Sequence, residues 1–429
     1  MAQRRRWLKL TLTLPLLLLA VLLAYYFVGL PLPGPAGVFP QTVQTQHFRI
    51  HYTTRGVDRA SPAFARRVGQ EAENALTQYH QQGFRDPFGA PPWQITLQDL
   101  GEDDLGIAEG WPDAPTRIVL STALAAMPVS DAGGLPATIA HELFHGIQAA
   151  YVPDLDRLPD FLVEGTPDAC AYAVLQGAAV HSALLVDSVA YYTEEGRLRS
   201  LSRQQHAAAG YFTVLADRFG GPGFCRGLLE QLATADANTA LARLTGLPEE
   251  RLQPVVALRL YGEYVWRADE LGKDSPLPPD PEARFDVVRP PDGTAPRLQA
   301  GATATVDTDS NDRPLRVRPL AVSAISLDRR WRLPERLELT VQAGGPVAAF
   351  LLVGSGAASR LADYRAVAVS NDKPIVLEPG AASRLMLLVL RPGSGAPVPY
   401  RVLLRAVTGA PTPLQPLPAL LQQLEAPGR

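Results

Sequence analysis

Residues 141–145 read His141-Glu142-Leu143-Phe144-His145. A helix turns about 100° and rises about 1.5 Å per residue, so positions i and i+4 share a face roughly 6 Å apart. On a helix, the rings of His141 and His145 can close on one metal ion, at about 2.0–2.1 Å for zinc. Glu142 is one residue along from His141. It points beside such an ion and not at it, where a base for a metal-activated water belongs.

The flanking residues support the helix. Gly133-Gly134 precedes it, and Pro136 suits a first turn, where a missing N–H costs nothing. Ile139, Leu143, Phe144 and Ile147 recur at helical spacing. Pro153 marks the end, because the residue before a proline avoids the helical region.

A second stretch lies downstream, with residues 146 to 163 between His145 and Glu164. It reads Phe161-Leu162-Val163-Glu164-Gly165-Thr166-Pro167-Asp168-Ala169. Together the two stretches resemble the gluzincins. In these metallopeptidases H-E-x-x-H is followed, after a long gap, by a glutamate in a motif that often reads aromatic-Leu-x-Glu-Gly-x-x-x-Ala. The resemblance implies an α+β catalytic domain with a small sheet, an active-site helix and a helical lobe. It implies zinc (Zn2+) held by His141, His145 and Glu164, with Glu142 as the base. The likeness is carried by residues 138 to 172. The run from His141 to Tyr151 is also similar to secreted bacterial metalloproteases whose catalytic domain precedes a β-rich module.

Asp168 stands four residues after Glu164, on the same face of a helix. In thermolysin-like gluzincins an aspartate at this offset accepts a hydrogen bond from the first zinc histidine, which fixes its tautomer. The alternative is a solvated acid near a helix start, favoured by the helix dipole. Pro167 fits only if the helix begins near Leu162, so that the proline falls in the first turn. The resemblance further implies a Tyr or His that reaches back to the scissile carbonyl. Related enzymes place it ahead of a stretch like Leu215 to Gly220, near residues 205 to 207. No tyrosine is there, and His206 is the first candidate for this second catalytic role. Tyr211 and Tyr192 stand behind it, and plain packing is the alternative for all three.

His47, His51 and His80 fit no metal-ligand spacing and are read as core or surface residues. Gly106 to Gly110 matches in two residues the stretch by which aminopeptidase gluzincins hold a substrate amine, which is too little to carry a role. An edge strand near residues 105 to 120 could instead pair with an extended peptide through its backbone. Cys170 and Cys225 are the only cysteines. They are compatible with one disulfide or with two buried thiols.

The chain has 429 residues, is 46% hydrophobic and carries a net charge of −3, which allows two or three domains. No basic tract follows the extreme N-terminus, so nucleic acid is not an expected partner. Nor does any pattern specify an oligomeric state. Residues 4 to 9 carry Arg4, Arg5, Arg6 and Lys9, and residues 10 to 30 carry no charge. That apolar length spans a hydrocarbon core of about 30 Å. The basic flank predicts a cytoplasmic N-terminus and a single-pass anchor, with the bulk of the chain on the extracytoplasmic, periplasmic or extracellular side. A cleaved signal peptide is the competitor and would give a secreted protein, but the apolar run is long and no A-x-A site follows. The arginines also resemble a twin-arginine export signal.

The segmentation predicted is an anchor over residues 1–30 and a Pro/Gly linker over 31–45. A catalytic domain follows over 46–271, then a Pro-rich linker over 272–296. A β-sandwich over 297–408 and a Pro-rich tail over 409–429 complete it. Strands are predicted at residues 47–52, 93–97 and 116–121, with a helix at 61–82. Helices follow at 181–194, 204–219, 223–232 and 249–271. Beyond residue 296, short apolar or alternating runs at 303–306, 320–327, 336–341, 348–353, 366–370, 374–377, 384–390 and 400–406 predict seven or eight antiparallel strands. A short helix fits residues 417–424 in the tail. Two classes of function follow. One is a membrane-anchored zinc peptidase acting on peptide or protein substrates. The other is a non-catalytic surface binding or adhesion protein with a peptidase-like lobe.

Overall fold

The first element is a five-stranded sheet, ordered β1-β2-β3-β5-β4. Its strands are β1 (Gln41–Gln44), β2 (Phe48–Tyr52), β3 (Trp93–Gln98), β4 (Gly106–Glu109) and β5 (Arg117–Ser121). The computed structural model describes residues 39–101, 104–178, 180–198, 200–265, 286–288, 303–306, 314–318, 320–327, 334–355, 361–379, 383–392 and 395–426. The expected membrane span at residues 10–30 lies outside the described residues. Within them no helix is long and apolar enough to cross a membrane. Strand pairing starts at Gln41, inside the stretch read from sequence as linker, because β1 pairs antiparallel with β2.

Strands β2, β3 and β5 run parallel, and β4 is added antiparallel at the edge. Parallel neighbours need a crossover. Helix α1 (Pro62–Gln81) supplies the one between β2 and β3. Ser61 caps α1 by accepting a hydrogen bond from the Phe64 N–H at 3.1 Å. Phe64, Val68, Ala72, Leu76 and Tyr79 follow at three- and four-residue steps and are all buried.

Helix α2 (Leu135–Tyr151) carries the two histidines. Pro136 sits in its first turn, and it ends at Val152, before Pro153. All but two of its residues are buried, so it runs through the interior. Tyr79 of α1 donates its hydroxyl to the Ala140 carbonyl at 2.9 Å, tying the two helices together.

Next come α3 (Asp160–Val163) and α4 (Gly165–Val174), separated by Glu164. The sequence predicts one helix from near Leu162. The chain instead breaks at Glu164 and restarts, which leaves Pro167 in the first turn of α4. The lobe continues with α5 (His181–Leu198), α6 (Ala209–Phe219), α7 (Pro222–Leu232), α8 (Ala237–Thr245) and α9 (Glu249–Arg259). Helix α8 was not expected from sequence, although its ends carry ordinary signals. Asp236 caps it through the Thr239 N–H, and Gly246 ends it in the left-handed region. Predicted helix 249–271 ends sooner, passing into a π-helical turn at Leu260–Tyr264. Residues 266–271 lie outside the described part. Cys170 and Cys225 are free and buried, and burial pushes the Cys170 thiol well up, with the neighbouring Cys225 adding to it.

The remaining chain forms two sheets. One is ordered β13-β10-β15-β7, with β8 also pairing β15. Its strands are β7 (Thr303–Val306), β8 (Arg316–Val317), β10 (Leu337–Ala343), β13 (Ile375–Leu377) and β15 (Val398–Ala406). The other is ordered β16-β12-β11-β14-β9-β6. It holds β6 (Asp286–Val288), β9 (Val322–Leu327), β11 (Ala348–Ser355), β12 (Tyr364–Val369), β14 (Ser383–Leu390) and β16 (Gln415–Pro416). All pairs are antiparallel except β6 with β9. The molecule is therefore of mixed α and β class.

Alternation along the second sheet divides its side chains between two cores. Ile325, Leu351, Leu385, Leu387 and Val389 meet Leu339, Val341, Val402 and Leu404 of the facing sheet. Ala324, Phe350, Leu352, Met386, Leu388 and Leu390 join the core of the helical lobe. Because β14 is buried on both faces, Leu385 to Leu390 is an unbroken apolar run. The lobe and the sheets also share a backbone bond, from the Leu201 N–H to the Leu320 carbonyl at 3.0 Å.

The C-terminal segment packs as well. Strand β16 pairs with β12, and α10 (Leu417–Glu425) buries Leu417, Leu420 and Leu421 in the lobe's core. Glu425 receives Arg218 and Arg259 at 2.7 Å each. These residues read from sequence as a tail, yet they cover the lobe. Leu421→Ala should therefore lower stability by about 2–5 kcal/mol, as for other buried leucines. A urea midpoint measured beside wild type would check this, and an unchanged midpoint would mean that α10 does not hold to the lobe.

A candidate metal centre

Helix α2 presents His141 and His145 on one face, both buried. Each ring is held from behind. His141 Nδ1 lies 2.6 Å from Asp168 Oδ1, and His145 Nδ1 lies 2.9 Å from Gln148 Oε1. Gln148 is only 1% exposed. Its Nε2 donates to the Val163 carbonyl at 3.1 Å and to Thr166 Oγ1 at 2.9 Å, so its oxygen is the acceptor facing His145. Thr166 in turn donates to the Leu162 carbonyl at 2.8 Å. Both Nδ1 atoms therefore carry hydrogens. Both Nε2 atoms of the neutral rings then present lone pairs, and they face each other at 3.1 Å.

Two lone pairs at that distance repel unless a proton on one ring or a metal ion stands between them. Glu164 Oε2 completes the arrangement, 3.5 Å from His145 Nε2 and 3.9 Å from His141 Nε2. Ligands about 2.0–2.1 Å from a tetrahedral zinc are about 3.3–3.4 Å apart. The three spacings bracket that edge. Two imidazole nitrogens and one carboxylate oxygen are also a donor set that suits zinc. Among the described residues, His141, His145 and Glu164 form a group able to hold a metal ion.

Glu164 sits at the junction of α3 and α4 with helical φ and ψ. Gly165 follows it, and a Cβ there would stand 2.7 Å from Ala208 Cβ and 3.1 Å from the Ala208 backbone. Its absence lets the 3-10 turn His206–Ala208 close on the start of α4. His206 Nε2 is thereby 3.5 Å from Glu164 Oε2, and its ring centre is 5.2 Å from that of His141. The His206 side chain stays 61% exposed. It groups with His141 and Asp168, not with the His141, His145 and Glu164 set.

Glu142 is 6% exposed and lies beside the histidines. Strand β4 passes so close that a Cβ on Gly106 would stand 2.6 Å from Glu142 Cγ. Burial raises the Glu142 pKa above the usual carboxylate value, against the pull of His141 and His145. Glu164 behaves oppositely. Burial opposes its charge, but His145, His206 and His141 hold it down at about 2. For His141, burial disfavours the imidazolium, and Asp168 outweighs that and raises the pKa to about 9. Asp168 itself is lowered by His141 against its burial. Burial and the neighbouring His141 lower the pKa of His206.

A cleft of about 270 Å³ opens over this group. It is lined by Leu105 and Gly106 on one side, His141 and Glu142 at the floor, and Asp187, Tyr191 and His206 opposite. The structure thus brings Glu142, His141, His145, Glu164, Asp168 and His206 together. Other residues stay apart. His47 pairs with Glu73, His51 with Gln94 and His80 with Asp86, at 2.7, 2.7 and 2.8 Å. Glu109 pairs with Arg117 on the exposed edge of the sheet. Tyr192 and Tyr211 are buried in the lobe and do not line the cleft. Gln148 was missed in the sequence. Its signal was present, since a polar residue three positions past His145 on an apolar helix needs a buried partner.

No family model matches the chain, and neither a curated protein nor a solved structure does.

Asp168→Ala and Gln148→Ala should each weaken zinc affinity by about 10- to 100-fold, because each frees one ring. A zinc competition titration on the full chain would read this, and wild-type affinity in both would refute the orienting roles. Proton competition adds a pH signature. Below about 9 a proton occupies His141 in the metal-free protein, so wild-type zinc affinity should climb with pH toward that value. Asp168→Asn removes the charge that raises this pKa, and its climb should level off at lower pH.

Proposed function

We propose that this protein is a zinc-dependent peptidase. Residues 10–30 anchor it in the membrane, and the catalytic part works on the extracytoplasmic side. Residues 46–271 form the peptidase part in this reading, and residues 297–408 the β-sandwich. The observation that carries the proposal is the near-tetrahedral spacing of His141, His145 and Glu164, beside the buried carboxylate of Glu142, which forms no ion pair among the described residues. The Glu164 and Asp168 motif that resembles the gluzincins supplies the third ligand and the partner of His141.

A bound zinc ion would supply the Lewis acidity that makes water nucleophilic near neutral pH. The chain's own residues do the rest. Glu142 takes the water proton and later returns it to the leaving amine. Its burial brings its pKa closer to neutrality, which suits a group that must do both. His206 stands on the open side of the cleft with its ring exposed, where an N–H can meet the oxyanion formed on the scissile carbonyl. Strand β4 is the edge of its sheet and borders the cleft at Gly106. An extended peptide can add to that edge through backbone bonds, which brings its carbonyl over Glu142.

Glu142→Gln should keep the fold and one zinc per chain while turnover falls by about 10²–10⁴-fold or more. Metal content by mass spectrometry and cleavage of a peptide library would report both, and near-wild-type cleavage would remove Glu142 from the role of base. His206→Ala should lower kcat by about 10²–10³-fold with KM little changed, as for loss of an oxyanion donor. A rise in KM alone would instead assign His206 to ground-state binding.

A further inference from the structure

Among the described residues the cleft is lined by four carboxylates, Asp104, Glu142, Asp168 and Asp187, and by no lysine or arginine. Two of them have work in the site already described. Asp168 holds His141 at 2.6 Å, and Glu142 stands beside the ligand set. Asp187 is different. It lies on α5, half-buried in the cleft wall, and has no hydrogen bond or ion pair to any described residue. Its charged neighbours are Asp168 and Asp131. Burial first, and then these two acids, push its pKa up to about 6. At neutral pH a carboxylate is thus kept unpaired, against its own solvation and against like charges.

A second feature of the same wall points to what would relieve it. Tyr191 is one turn further along α5, so it shares a face with Asp187, and it is 53% exposed at the cleft. A carboxylate one turn from an open aromatic ring can hold a cation by charge and by the ring face together. The same cleft reaches Glu142, the base of the proposed function. That carboxylate is 6% exposed and has no protein hydrogen-bond partner among the described residues.

We propose that Asp187, with Tyr191, makes this cleft selective for a substrate bearing a cationic nitrogen close to the bond cleaved. The recognised chemistry is an ammonium or a guanidinium, carried by a basic side chain or by a free N-terminus. The inference rests on the peptidase reading for the identity of the molecule that carries the cation. Asp187 is a specificity residue in this account, and it takes no part in the bond-breaking step.

The test separates the two readings. Binding of three small amides to the zinc-loaded full-length chain in detergent is measured by calorimetry. N-acetyl-argininamide offers only a guanidinium, leucinamide only an α-ammonium, and N-acetyl-citrullinamide neither. At least one cationic probe should bind about tenfold or more tightly than the neutral one. That advantage should persist in Asp187→Glu and vanish in Asp187→Asn. An advantage confined to N-acetyl-argininamide assigns a basic side chain, and one confined to leucinamide assigns a free N-terminus. In parallel, peptides with arginine or citrulline at each position flanking the cleaved bond, or with a free or acetylated N-terminus, should show the same ratio in kcat/KM for the cation that the probes select. Equal binding of charged and neutral probes, or an advantage that survives Asp187→Asn, overturns the proposal. Peptides cleaved with no preference for charge would leave the peptidase reading standing without it. Probe selectivity without any turnover would leave Asp187 as a cation site and remove the peptidase.

Discussion

Two imidazole nitrogens held 3.1 Å apart, both with their lone pairs turned inward, are the constraint around which this molecule is arranged. Neither ring is free to turn away. Asp168 holds one and Gln148 the other, and Gln148 is fixed by three oxygen partners on the segment that carries Glu164. The repulsion is therefore built in. Either a proton on His141, which then donates to His145, or a metal ion between the rings relieves it. Such an arrangement needs a stiff frame, since a relaxed helix would let the rings part. Helix α2 has that frame because nearly every residue along it is buried.

The position of Glu164 depends on a different device. Glu164 keeps helical φ and ψ at the junction of α3 and α4, and the missing Cβ of Gly165 beside it admits Ala208. That close approach brings the turn carrying His206 up to Glu164. The electrostatic consequences run in opposite directions in one small volume. Glu164 is held ionised by three histidines, whereas Glu142, with the same functional group, is pushed up by burial. Environment and not residue type sets which of the two carboxylates holds its charge more firmly.

The β-rich half is joined to this frame by its sheet faces. Strands β9, β11 and β14 have no solvent face, because one side chain in two meets the opposite sheet and the next meets the helical lobe. The C-terminal helix closes the same surface, with Glu425 between Arg218 and Arg259. The β-rich half, in which no metal-binding group is found among the described residues, thus shares its core with the helical lobe.

Much of this was legible in the sequence, for a local reason. Period-3.6 and period-2 patterns, caps and prolines act over a few residues, so α1, α2 and most strands could be read from Ser61, Pro136, Pro153 and the apolar runs. Spacing also brought His141, Glu142 and His145 together, since a single helical turn links them. Tertiary structure decided what joins segments far apart in the chain. Gln148 gains its partners only once the fold places Val163 and Thr166 beside it. The packed C-terminal helix looked like a tail, because its partners Arg218 and Arg259 lie more than 160 positions earlier. Asp187 drew no attention at all, as a lone acid on a helix, and only the fold turns it toward Asp168 and the cleft. Periodicity specifies an element and its buried face, but which distant face it meets is settled by packing, and the chemistry of this site arises where those faces meet.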